Sequence, residues 1–177
     1  MNAIKYPGAF GEALVDWYLN HKRALPFRDL YNPYYTLVSE LMLQQTQMDT
    51  VIPYFNRFIE HYPTICDLAR APIDDVLKLW EGLGYYRRAH HLHEAAKTVC
   101  YTYHGAFPRD LVLIEKLKGV GRYTARAIHS IAFEQPSVAV DGNVLRVMTR
   151  VLAYDGDIQK DQTRKKIEQT LEPIILH

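Results

Sequence analysis

The sequence predicts an all-α protein. Apolar residues recur with helical spacing along almost the whole chain, and no stretch alternates apolar and polar residues as a half-buried strand does. Phe10, Leu14, Trp17 and Tyr18 form one stripe, Tyr34, Val38, Leu41 and Met42 a second, and Val76, Leu77 and Trp80 belong to a third. The punctuation agrees. Pro33 stands where a first helical turn accepts proline, Thr64 followed by Asp67 has the pattern of a capping box, and Gly82 and Gly84 break the chain after Trp80. Further helices are expected at roughly 86–103, 110–117, 122–133, 142–154 and 160–172, with no repeat, low-complexity tract or long linker between them.

A chain of 177 residues is one ordinary domain, or one domain with part of a second, and its 48% apolar and 23% charged residues are those of a folded protein. The net charge of +1 and isoelectric point near 7.8 do not advertise a nucleic-acid binder, for which a value above about 9 is usual. Local charge says more. Arg109, Lys116, Lys118, Arg122 and Arg126 face only Asp110 and Glu115 across residues 109–126, around a pair of glycines. No apolar run reaches the roughly 18 residues of a spanning helix, and no signal peptide is read at the amino terminus, so an intracellular protein is expected. Cys66 and Cys100 form no C-x-x-C pair or His/Cys cluster, and neither a disulfide nor a zinc site is expected from them.

Three segments carry candidate chemistry. In Leu117-Lys118-Gly119-Val120-Gly121-Arg122-Tyr123-Thr124-Ala125 two glycines separate two helical stretches. Glycine tolerates positive φ and lets another backbone come close, and the N–H groups of the following helix start suit a phosphate. Lys116, Lys118 and Arg122 strengthen that reading; an ordinary tight turn between helices is the alternative. Glu40 lies off the stripe of its helix but is flanked by Leu37 and Leu43. In a partly apolar cleft its pKa would rise, making it a general acid, and otherwise it is a solvated helix-face glutamate. Asp141, in Val140-Asp141-Gly142-Asn143-Val144, precedes a helix and is either an N-cap alone or an N-cap that also presents an anion. Cleaving a purine N-glycosidic bond needs both forms: an acid for the departing base and an anion for the sugar cation.

Five motifs in order resemble the adenine DNA glycosylases of the MutY type, within the helix-hairpin-helix glycosylase superfamily, from about Trp17 to about Ile158. They are Leu25-Pro26-Phe27-Arg28, the run S-E-L-M-L-Q-Q-T-Q at 39–47, Trp80-Glu81-Gly82-Leu83-Gly84-Tyr85-Tyr86, the hairpin at 117–125, and V-D-G-N-V at 140–144. The resemblance implies a six-helix barrel with the hairpin over 28–137. Residues 1–27 would pack with an incomplete second helical domain, 138–177, that carries Asp141. It makes Glu40 the acid that protonates adenine and Asp141 the group that stabilises the sugar cation, with Tyr123 and Asn143 supporting Asp141 and Arg28 shaping the base pocket. Gln45 and Tyr85 would enter the duplex where the base leaves, Gln44 would also bind DNA, and Lys118, Gly119, Val120, Gly121 and Arg122 would hold the backbone. Tyr85 as a core residue and Gln45 as a solvated one are the alternatives.

Lyase-type relatives carry lysine where this chain has Tyr123, so base excision without efficient strand cleavage is expected. The implied partner is double-stranded DNA with adenine opposite 8-oxoguanine or guanine, met by a monomer in the cytoplasm or nucleoid of a bacterium. Two other functions stay open: a DNA-binding fragment without catalysis, and a thymine or oxidised-pyrimidine glycosylase. Lys118 departs from the usual proline and Phe27 from the usual tryptophan. Longer members bind a [4Fe-4S] cluster and recognise 8-oxoguanine through a further domain. No cofactor or metal is expected on these residues, whose two cysteines match no cluster ligand. A truncated chain is expected to expose Val151, Leu152, Ile167, Leu171 and Ile174.

Overall fold

The computed structural model describes residues 4–175, and these contain helices and no strand. They divide into two compact units, one formed by residues 24–134 and the other by 4–23 with 135–175.

The larger unit is built around α2 (Pro33–Leu43), which packs against α3 (Met48–His61), α6 (Arg87–Lys97) and α8 (Arg122–Ile131). The sequence of α2 explains its central place. Between Pro33 and Leu43 it has one charged residue, Glu40, and Leu37, Val38, Leu41 and Met42 are fully buried. Asn32 caps it, its side chain accepting from the backbone N–H groups of Tyr34 and Tyr35 at 2.9 and 3.2 Å. The α4 helix (Ile65–Arg70) opens on the expected capping box, with Thr64 and Asp67 bonded reciprocally. In α5 (Ile73–Trp80), Val76 and Trp80 face the core, and Trp80 meets Phe58 of α3 edge-on at 6.2 Å. Closing the unit, α7 (Leu111–Glu115) packs against α8.

Periodicity names no helix over 48–61, yet α3 is there, with Val51, Phe55 and Phe58 buried on one face. Its signals are muted by Pro53 within the helix and by Gln47, which makes no side-chain cap. The cysteines also need correction. Cys66 and Cys100 are joined in a disulfide that ties α4 to a π-helical turn at Thr98–Thr102. Spacing along the chain could not show this, because α4 packs on α6 and on the π-turn only after folding.

In the smaller unit, α10 (Asp161–Ile175) contacts both α1 (Pro7–His21) and α9 (Gly142–Val151). Val138, Val140, Leu145, Met148, Leu152 and Ile167 form its core. Leu152 and Ile167 are therefore buried, against expectation, while Val151 is exposed and Leu171 and Ile174 are half-buried. Exposed apolar residues of this unit cluster instead on α1. Phe10 packs against the core, but Leu14, Trp17 and Tyr18 of the same stripe are exposed, as are Val15 and Leu19.

Candidate active site and anion-binding hairpin

Glu40 sits half-buried in the last turn of α2, between the buried Ser39 and Leu41. It is neither a solvated helix-face residue nor a core one.

The chain leaves α2 through Gln44, Gln45 and Thr46, and Gln45 has φ 61°, a conformation costly for any residue with a Cβ. A second loop, after α5, runs Glu81-Gly82-Leu83-Gly84-Tyr85, where Tyr85 has φ 47° and is 65% exposed. Tyr85 is thus not a core residue. Both candidate duplex-entering side chains, Gln45 and Tyr85, stand on exposed, left-handed backbone.

One residue passed over in the sequence connects these loops. Arg88, buried to 6% exposure, donates from Nη1 to the carbonyls of Leu41 at 2.9 Å, Met42 at 2.8 Å and Gln44. From Nη2 it donates to Thr46 Oγ1 at 3.2 Å and to the carbonyls of Leu83 and Gly84, each at 3.1 Å. Its guanidinium also lies over the Trp80 ring at 5.4 Å and the Tyr85 ring at 5.6 Å. A signal for it existed: Arg88 occupies the same helical face as Leu92, Ala95 and Ala96, where an apolar residue is the default.

The hairpin between α7 and α8 is anchored by Leu117 and Val120, both buried, while Lys116, Lys118, Gly121 and Arg122 are exposed. Gly119 has φ 76°, and a Cβ on it would lie 2.5 Å from the Cβ of His91 in α6. Gly121 is different. Its backbone is extended at φ −89°, and a Cβ there would meet nothing within 4 Å. It is the N-cap of α8 and, having no side chain, supplies no side-chain cap to the helix start. Burial, then the charges of Lys118, Arg87 and His90, lower the pKa of His91.

Asp141 is the N-cap of α9. One carboxylate oxygen accepts from Val144 N at 2.7 Å and the other from Asn143 Nδ2 at 3.0 Å, so both oxygens are oriented. Arg146 Nη2 in turn donates to Asn143 Oδ1 at 3.3 Å. Asp141 and Asn143 belong to the smaller unit; Arg28, Glu40, Gln44, Gln45, Tyr85, Tyr123 and the hairpin belong to the larger. Arg28 is half-buried beside Phe27, whose ring meets Phe55 edge-on at 5.1 Å, and Tyr123 is half-buried in the first turn of α8.

The [4Fe-4S] cluster of longer relatives does not fit these residues. Cys66 and Cys100 are bonded to each other, and among the described residues no three His, Cys, Asp or Glu side chains converge as a metal site. No helix of the described residues is long and apolar enough to cross a membrane.

Several curated proteins similar to this chain are named adenine DNA glycosylase. The adenine DNA glycosylase of Buchnera aphidicola subsp. Baizongia pistaciae is 41% identical over 166 residues, spanning 93% of this chain and 47% of that protein. Those of Mus musculus and Homo sapiens are each 47% identical over 158 residues, spanning 84% of this chain and 31% and 29% of theirs. The chain thus spans about half the length, or less, of these relatives. Among solved structures, a thermostable thymine-DNA glycosylase superposes with a TM-score of 0.83 at 26% identity, covering 95% of this chain and 77% of that one. A non-covalent endonuclease III–DNA complex gives 0.72 at 26%, covering 98% and 86%. Residues 38–173, a stretch holding Glu40, the hairpin and Asp141, match the HhH-GPD superfamily of base-excision DNA repair proteins, and the chain belongs to that family.

Proposed function

We propose that this chain is the catalytic core of a monofunctional DNA glycosylase that hydrolyses the N-glycosidic bond of adenine mispaired with 8-oxoguanine or guanine. The observation that carries the reading is Glu40. It is the one charged residue of the central helix α2, half-buried, in a chain 41–47% identical to adenine DNA glycosylases.

Glu40 gives its proton to a ring nitrogen of the extruded adenine, and the C1′–N9 bond breaks with its electron pair leaving on the base. The Asp141 carboxylate, oriented by Val144 N and Asn143 Nδ2, stabilises the sugar cation. Water then adds to C1′ and loses its proton, which restores Glu40. Tyr123 carries no amine, so no Schiff base forms and the abasic strand stays intact. Gln45 and Tyr85, exposed on adjacent loops of one unit, fill the gap that the flipped nucleotide leaves, and Gln44 lies beside them. The hairpin from Lys118 to Arg122 holds one strand through phosphates, a contact that positions without reading sequence. Arg28, half-buried next to Phe27, borders the base pocket. Acting on chromosomal duplex gives the protein an intracellular location, and it works as a monomer.

A thymine substrate is the second reading, supported by the TM-score of 0.83 to a thymine-DNA glycosylase. Identity weighs the other way, 26% against 41–47%. A third reading is binding without catalysis. Incubating the protein with duplexes holding adenine opposite 8-oxoguanine, adenine opposite guanine, or thymine opposite guanine, followed by alkali, separates all three. Breaks only at adenine, and only after alkali, are expected. Breaks at thymine support the second reading, and retention of the duplex without breaks supports the third.

A further inference from the structure

We propose that Arg88 is the positioning residue that holds the two duplex-entering loops, 44–46 and 83–85, in the conformation that presents Gln45 and Tyr85. The inference rests on the reading of those two residues as the ones that enter the duplex.

Burying a guanidinium is costly unless its surroundings compensate; here the Leu41 and Met42 carbonyls at the end of α2 and four acceptors on two loops far apart in sequence do so, while Nε has no hydrogen-bond partner. Arg88 bonds residues 44 and 46, on either side of Gln45, and residues 83 and 84, just before Tyr85. It also lies under the Tyr85 ring. The two bracketed residues are the two that adopt left-handed backbone in these loops while carrying a Cβ. Such a conformation persists where the surroundings over-determine it, and one rigid, planar donor set shared between the loops does that. Because one guanidinium donates to both loops, Gln45 and Tyr85 are set at a fixed separation before any DNA arrives. Lysine cannot replace it: three donors on one nitrogen cannot span acceptors on both loops.

A wedge matters most when a base must be taken out of a pair, and little when it has no partner. Single-turnover adenine release is therefore measured for the unsubstituted chain and Arg88→Lys on two duplexes, one with adenine opposite guanine and one with the same adenine opposite an abasic site. We expect Arg88→Lys to slow the paired substrate at least 10-fold and the unpaired substrate less than 3-fold. Equal losses on both overturn the proposal, since Arg88 would then act through the fold or through Glu40, whose helix end it also binds. No loss on either overturns it as well. Thr46→Val removes one acceptor and leaves Arg88 in place, and it serves if Arg88→Lys does not fold. It is expected to slow the paired substrate about 3-fold and leave the unpaired one unchanged, and the same two outcomes count against the proposal. Amide hydrogen exchange gives a readout independent of activity: in either variant, protection should fall in 44–46 and 83–85 together, and a change in one loop alone refutes the coupling. Failure of the unsubstituted chain to release adenine from either duplex overturns the underlying reading, while exchange still reports on Arg88 as the link between loops.

Discussion

Two glycines of one hairpin, two residues apart, should respond in opposite ways to the same substitution. Gly119→Ala places a methyl group on backbone with φ 76° and 2.5 Å from the Cβ of His91. The left-handed conformation costs about 1–2 kcal/mol once a Cβ is present. The clash adds about 1–2 kcal/mol, because the nearest atom is fixed to the α6 backbone and cannot swing aside. The sum, about 2–4 kcal/mol, is a large part of the 5–15 kcal/mol typical of a domain. With a urea slope of about 2 kcal/mol per molar, the unfolding midpoint should fall by roughly 1–2 M. Adding His91→Gly should recover the clash portion and leave the backbone portion; His91→Ala should not, since it keeps the offending Cβ. Gly121→Ala meets nothing within 4 Å at φ −89°. Lower entropy of the unfolded chain, worth about 0.4–1 kcal/mol, offsets the poorer N-cap, so stability should change by less than about 0.5 kcal/mol. Its DNA affinity should nonetheless fall, because the methyl group occupies the space where a phosphate approaches the α8 start. Equal losses of stability in the two variants, or a Gly119→Ala midpoint within 0.2 M of the parent, would refute this account of the hairpin.

Three further outcomes follow from the same structure. Asp141→Asn keeps an equally good N-cap and removes the charge, so urea stability should stay within about 0.5 kcal/mol while adenine release falls by two orders of magnitude or more. A parallel loss of both would make Asp141 a structural cap alone. Burial lowers the pKa of His91 and of His93, with Lys118 and Lys97 respectively the next causes, and for His93 the bond to the Ala71 carbonyl opposes the shift. Unfolded histidine titrates near 6.5, so stability should be full above about pH 6.5 and decline as pH falls below it, with His93→Gln flattening the profile in urea titrations. Lys118→Ala should weaken duplex binding equally for matched and mismatched DNA and reduce the slope of log affinity against log salt by about 0.9.

Much of this was legible in the sequence where a local rule acts alone. Pro33 and the Thr64–Asp67 box mark helix starts that the structure has, and Glu40, off its stripe between Leu37 and Leu43, is half-buried. Asp141 reads as a cap, and it is one, with Asn143 adding the second bond to its carboxylate. Local rules fail where tertiary packing decides. The Cys66–Cys100 bond exists because α4 meets the π-turn, and Arg88 matters because it reaches two loops from a helix position that looks apolar. The stripe on α1 shows the opposite failure: helical periodicity is there, yet Leu14 and Trp17 remain exposed, since an apolar face states what a helix can cover and not what covers it.

The central claim is that Glu40 supplies the proton that releases the base, and single-turnover adenine release by Glu40→Gln tests it most directly. Glutamine keeps the shape and the hydrogen-bonding capacity of the side chain and cannot serve as the acid. Release from an adenine–guanine duplex should fall at least about 100-fold, the usual scale for a lost general acid, while duplex affinity stays within about 3-fold. Release within a few-fold of the unsubstituted chain, or a loss matched by an equal loss of affinity, would contradict it.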